Sequence, residues 1–185
     1  MNQNPLVIAV LVVVVIIVIA VALLATRKRR SQKLRERFGP EYDRVLKREG
    51  DVRSAEGVLQ FREKHREQFK LRALPPNDRS RYEQSWREVQ AQFVDDPKGA
   101  VANADSLVIE VMRARGYPMG DFEQRAADIS VDHPVMVENY RGAHDIALRH
   151  SRGQASTEDL RRAMVLYRSL FDELLDGRQI ERKGA

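Results

Sequence analysis

The chain has no cysteine among its 185 residues, so no disulfide or thiolate metal site is available to it. Also absent are the glycine-rich patterns G-x-x-x-x-G-K and G-x-G-x-x-G that cradle phosphates, and the zinc-binding H-E-x-x-H. No serine stands in a nucleophile-elbow context. Alternating runs of β-branched residues are missing outside one N-terminal stretch, which argues against a sheet. Aromatic residues make up only 6% of the chain, with a single tryptophan. Nucleotide binding through a glycine loop, thiol chemistry and a β-sandwich are thereby excluded as starting points.

What is present begins with a long hydrophobic run. Leu6 to Ala25 reads LVIAVLVVVVIIVIAVALLA, without a charge or a proline. Twenty helical residues at 1.5 Å each span about 30 Å, the thickness of a bilayer's hydrocarbon core. The run lacks the polar face of a soluble helix and the basic leader of a cleaved signal peptide. Ala20-Val21-Ala22 resembles a cleavage site, but Leu23, Leu24 and Ala25 continue the apolar run past it. An uncleaved transmembrane anchor is therefore expected. Arg27, Lys28, Arg29 and Arg30 follow at once, and positive charge stays on the cytoplasmic side. The N-terminus is expected outside and the remainder in the cytoplasm.

The sequence pI is near 9.7, a value that invites nucleic-acid binding. Its source lies at the membrane edge, because the four residues Arg27 to Arg30 supply all but +1 of the net +5. Arg27 to Arg72 holds sixteen basic against eight acidic residues. The lipid bilayer, including anionic headgroups, is thus the expected partner of this stretch, and an unidentified protein that of the helical domain; nucleic acid is not expected.

Beyond the anchor the pattern is helical throughout. The first helix should run on to Phe38, stopped by Gly39-Pro40. Glu41 to Glu49 forms a short helix ended by Gly50, and Asp51 caps the next, whose Val52, Ala55, Val58, Leu59, Phe61 and Phe69 share a broad face. Asn77 or Asp78 should cap a helix carrying Tyr82, Trp86, Val89 and Phe93. Asp96-Pro97 starts the most apolar helix, with Ala100, Val101, Ala104, Leu107, Val108, Val111 and Met112 inward and Gly116 closing it. His133-Pro134 opens another, bearing Met136, Val137, Tyr140, Ala143, Ala147 and Leu148. Gly153 ends it. Ser156 and Asp159 make a capping box before the stripe Leu160, Ala163, Met164, Tyr167, Leu170, Phe171, Leu174, which Gly177 stops. The predicted class is all-α: one N-terminal transmembrane helix plus a small bundle or orthogonal array of about five to seven helices. Its expected parts are a short tail (1–5), the span (6–25), a basic membrane-proximal helical region (26–76), a helical core domain (77–177) and a frayed tail (178–185).

One stretch looks like chemistry. DFEQRAADISVDHP, Asp121 to Pro134, packs four acidic residues and a histidine into a basic chain. As a structural element it reads as a helix capped by Asp121, burying Phe122, Ala126 and Ile129. Arg125 would pair with Asp121 and Asp128, and Asp132 or His133 would cap the following helix. As a functional element it would gather Asp128, Asp132 and His133 around a metal, but the spacing is not that of a ligand set. The remaining option is a binding surface made of Asp121, Glu123, Asp128, Asp132 and His133, attracting a basic partner.

Together FVDDPKGAVANADSLVIEVMRARGYP, DFEQRAADISVDHP, ENYRGAHDIA and STEDLRRAMVLYRSLFDELL resemble an uncharacterised family of bacterial membrane-anchored or exported helical proteins. The resemblance covers Leu34 to Leu175 and implies a bacterial origin, an N-terminal hydrophobic segment and a helical domain. It implies no reaction, cofactor or catalytic residue. Arginine outnumbers lysine 25 to 7, which fits a GC-rich bacterial genome. The expectation is a protein-binding adaptor or scaffold, single-pass and membrane-anchored, with no cofactor, rather than an enzyme. The alternatives are a membrane-tethered enzyme with the acidic/His metal site, or an exported envelope protein anchored at its N-terminus.

Overall fold

A computed structural model describes residues 5–176 of the chain, with side chains described from residue 11 onward. Two compact units divide at residues 37 and 38. The expected N-terminal tail falls almost wholly, and the stop at Gly177 with the tail 178–185 wholly, outside the described residues.

The first unit is helical: α1 runs from Pro5 to Phe38, so that all but its last residue belongs here. Its valines and isoleucines are indifferent helix formers in water. In lipid each backbone N–H and C=O must be satisfied within the segment, and a helix does this for any apolar side chain. This helix is long and apolar enough to cross a membrane. The basic residues after Ala25 continue it, and Arg35 and Arg37 fall in the last turn, where cations suit the helix dipole.

Among the described residues of the second unit seven helices follow: α2 (Pro40–Glu49), α3 (Val52–Glu67), α4 (Pro76–Gln92), α5 (Pro97–Arg115), α6 (Phe122–Asp132), α7 (Met136–Ser151) and α8 (Thr157–Asp176). No strand occurs among the described residues, so the all-α class with one long apolar N-terminal helix is what the chain adopts. The caps form largely where their side chains predict them. Asp51 accepts from the Ser54 amide at 2.9 Å, Asp96 from Gly99 at 2.9 Å and Asp121 from Gln124 at 2.8 Å. The capping box closes both ways, Ser156 N to Asp159 Oδ2 at 2.8 Å and Asp159 N to Ser156 Oγ at 3.2 Å. At α4 the expectation is corrected: Pro75 and Pro76 start the helix without a side-chain cap, and Asp78 of the first turn pairs with Arg81 three residues on.

α5 is the central helix, packed on α4 and α8, while α7 lies along α8. All seven of its predicted inward residues are buried, as are all seven of the α8 stripe. Trp86 of α4 stacks on Phe171 of α8 with ring centroids 4.7 Å apart. Two stripes depart from expectation. On α7 Ile146 is buried and Leu148 exposed. On α3 the inward positions are Ala55, Leu59 and Arg62, whereas Val52 and Phe61 face solvent. α2 packs on α3, and this pair meets the remaining helices chiefly at α6 and, less, at α7. The main hydrophobic core begins only at Tyr82, so Tyr42, Val45, Ala55 and Leu59 are buried outside it.

Candidate functional site

The junction of α2 and α3 with α6 and α7 is ionic. Glu41, in the first turn of α2, is fully buried and accepts from two guanidinium groups. Arg62 Nη1 of α3 approaches its Oε1 at 2.8 Å, and Arg141 Nη2 of α7 approaches the same oxygen at 3.2 Å. Arg62 also donates to Ser130 Oγ of α6 at 3.0 Å, and Arg141 Nη1 donates to Glu123 Oε2 at 2.7 Å. One carboxylate thus ties α2 to α3 and α7, and the two arginines extend the tie to α6. Charges removed from water in this way need close partners, because desolvation costs several kcal/mol per ion.

One turn along α3 the same seam continues. His65 Nε2 lies 3.9 Å from Asp128 Oδ1, which also accepts from Gln124 Nε2 at 2.9 Å. Burial pushes the Asp128 carboxyl above its ordinary pKa, against the opposing pull of Gln124, His65 and Arg62. Arg66 pairs with Asp132, whose Oδ2 accepts from Tyr117 OH at 3.3 Å. His133 Nδ1 stands 3.2 Å from Glu173 Oε1 of α8. Burial lowers the His133 pKa, while Glu173 and Asp132 act to raise it. Behind them Arg115 is buried at the end of α5 and donates to the Leu174 carbonyl.

These contacts correct the sequence reading of the acidic stretch. Asp128, Asp132 and His133 are not surface residues; they are buried because α6 is packed against both α3 and α7. Each turns to a different partner, His65, Arg66 and Glu173 respectively. The cluster a metal would need does not form, and no group of three His, Asp or Glu side chains converges among the described residues. α6 runs through Asp132, and α7 starts at Met136 without a side-chain cap, so neither Asp132 nor His133 caps it. Arg125 leaves Asp121 and Asp128 alone, donating to Tyr140 OH at 3.1 Å and to the Gly120 carbonyl at 2.7 Å.

Asp121 and Glu123 do remain exposed. They line an open cleft of about 660 Å³ between α6 and α7, which Arg44 of α2 lines as well. Glu138 and Asp145 of α7 add two further carboxylates, and Phe122 and His144 form an aromatic wall with ring centroids 3.6 Å apart. Arg141 also lines the cleft, but its charge is already met by Glu41 and Glu123. Asp105, Tyr140 and Tyr167 lie deeper. Burial raises the pKa of all three, Tyr140 to about 12, and burial lowers that of His144 against the pull of Asp105.

Sequence reasoning missed Glu41, Arg62, Arg115 and Arg141. Arg62 left a signal, since it follows Ala55 and Leu59 on the buried stripe, where an apolar residue is expected. Glu41 left none. Comparison of the chain with models of known families, with curated proteins and with solved structures finds no match. Nothing carries over from another protein, and function must be argued from these residues. Fold and site define the class: an all-helical protein with one helix suited to crossing a membrane, an ionic seam and an acidic cleft.

Proposed function

We propose that the chain is a single-pass protein of a bacterial inner membrane, N-terminus outside, whose cytoplasmic helical domain is an adaptor. Its α6–α7 cleft would capture a basic segment of a partner protein. The observation that carries this reading is the set of four carboxylates, Asp121, Glu123, Glu138 and Asp145, around the Phe122–His144 wall. A lysine or arginine side chain suits such a site, its aliphatic stem on the rings and its cation among the carboxylates. Charges of this kind steer encounter and weaken with salt. The anchoring part of the reading is supported by the length and apolarity of α1. Arg27, Lys28, Arg29 and Arg30 favour the inside orientation and contact with anionic headgroups, at about 1 kcal/mol each.

The test is affinity capture of the tagged full-length protein from gently solubilised membranes, with Asp121→Asn, Glu138→Gln and Asp145→Asn combined. These changes leave the Glu123–Arg141 pair and the seam intact. A stoichiometric partner that is lost with the triple variant supports the cleft. Capture that is unchanged in a folded triple variant removes it. A reporter fused after Arg30 reads the orientation separately, and activity on the outer side would make the chain an envelope protein instead.

A further inference from the structure

The outer face of α3 carries a second surface. Opposite the inward residues Ala55, Leu59, Arg62 and Arg66, helical geometry places Arg53, Gly57, Phe61, Lys64 and Gln68 together. All five are exposed. Phe61 is 68% exposed and is the one exposed aromatic residue among those described. A single exposed apolar side chain is ordinary on a protein surface. Here Lys64, one turn on, and Arg53, two turns back, lie on the same arc, and no carboxylate shares it. Glu56 turns aside to accept from Tyr42 OH at 3.2 Å, Glu63 is half-buried, and Glu67 stands on the flank. An aromatic ring bordered by Lys and Arg is the composition of helices that lie in a membrane interface, the ring among acyl chains and the cations at the phosphates.

We infer that this face of α3 docks on anionic lipid of the membrane that holds the chain, Phe61 inserting and Arg53 and Lys64 pairing with headgroup phosphates. The inference rests on the membrane anchorage proposed above. Only the 26 residues 26–51 separate the end of the apolar run at Ala25 from the start of α3. A tether that short keeps the local lipid concentration high, so two cations and one ring suffice for a contact that would be weak between free partners. The charge fixes the occupant. A neutral bilayer or a second copy of the same cationic face offers Arg53 and Lys64 nothing.

The absence of cysteine makes a clean test. Full-length protein carrying Phe61→Cys, labelled with a nitroxide, is placed in nanodiscs of phosphatidylcholine with or without phosphatidylglycerol. Val165→Cys, on the exposed side of α8, serves as the comparison. The expected result is that phosphatidylglycerol shields the label at 61 from a water-soluble relaxant and not the label at 165. High salt, or Arg53→Glu with Lys64→Glu, should reverse the shielding by roughly tenfold or more in the contact equilibrium. Equal access at 61 in both lipids, with the protein inserted, overturns the docking while leaving the anchor standing. Shielding that is the same without phosphatidylglycerol, or in detergent, also overturns it, since the contact is then not with anionic lipid. A chain that never enters the discs defeats the anchorage itself, and this inference with it.

Discussion

Arg62 donates to Glu41 across 2.8 Å with both side chains buried, and so joins α3 to α2 by charge beside their apolar contacts. Arg141 shares the same carboxylate oxygen from α7. The arrangement makes the seam specific without making it strongly stabilising, because desolvation offsets most of the Coulombic gain. Glu41→Ala should therefore be among the most damaging single changes in the domain, leaving two buried guanidiniums without their shared partner, at about 3–5 kcal/mol. Replacing the triad together, Glu41→Leu with Arg62→Met and Arg141→Met, should recover most of that loss. Trp86, the only tryptophan and fully buried, reports unfolding by its fluorescence. A triple variant no more stable than Glu41→Ala would contradict this account of the seam.

Acid should loosen the domain through its histidines. His133 and His144 both titrate below the ordinary imidazole range, chiefly because burial penalises the cation. A depressed folded pKa means that the unfolded chain binds more protons as pH falls through the unfolded value, about 6.5. The stability that the neutral rings contribute is whole above that value and declines below it. Asp105 and Asp128 act in the opposite sense, since burial raises their pKa and so favours protonation of the folded chain over the unfolded one as pH falls. Denaturant melts at about pH 7.5 and about pH 5.5 should show lower stability at the acid value. His133→Asn should reduce that difference; a variant that keeps all of it would place the acid sensitivity elsewhere.

Gly116 ends α5 at φ 91°, and a Cβ built there would lie 2.7 Å from the Lys70 carbonyl oxygen. The backbone of Arg72 bonds to the Arg115 carbonyl at 3.0 Å, which holds this passing segment in place. Gly50 also has positive φ, 81°, but open space where its Cβ would be. Gly50→Ala should cost about 1 kcal/mol, the left-handed penalty alone. Gly116→Ala adds a clash with backbone that cannot swing away, and should cost about 2 kcal/mol or more. Equal melting shifts for the two variants would show that residues 70–72 yield.

Which of these features can be read from the sequence follows from their range along the chain. The α5 and α8 stripes are plain because Val101, Ala104, Val108 and Met112, or Leu160, Met164, Tyr167 and Phe171, recur at helical spacing. The caps at Asp51, Asp96 and Asp121 are plain because each bonds an amide three residues on. The seam is not. Glu41 and Arg141 are 100 residues apart, and periodicity assigns any arginine to solvent unless its helical register betrays it, as at Arg62. The burial of Asp128, Asp132 and His133 was hidden for a related reason. α6 has partners on two sides, so side chains beyond its apolar stripe are enclosed as well.

Asp121 is the residue at which structural and binding roles can be separated. Its Oδ1 caps α6 through the Gln124 amide, and its exposed carboxylate lines the cleft. Asparagine caps a helix about as well as aspartate, whereas alanine loses about 1 kcal/mol. Asp121→Asn should leave the Trp86 unfolding transition in place and still weaken capture of a basic partner, most clearly at low salt. Asp121→Ala should weaken both. Reversal of Asp128, by contrast, would unfold the seam and say nothing about binding, because its side chain is buried beside His65 and Gln124. If Asp121→Asn and the natural chain retain a partner equally at every salt concentration, Asp121 is a cap alone, and the cleft must act through Glu123, Glu138 and Asp145 or not at all.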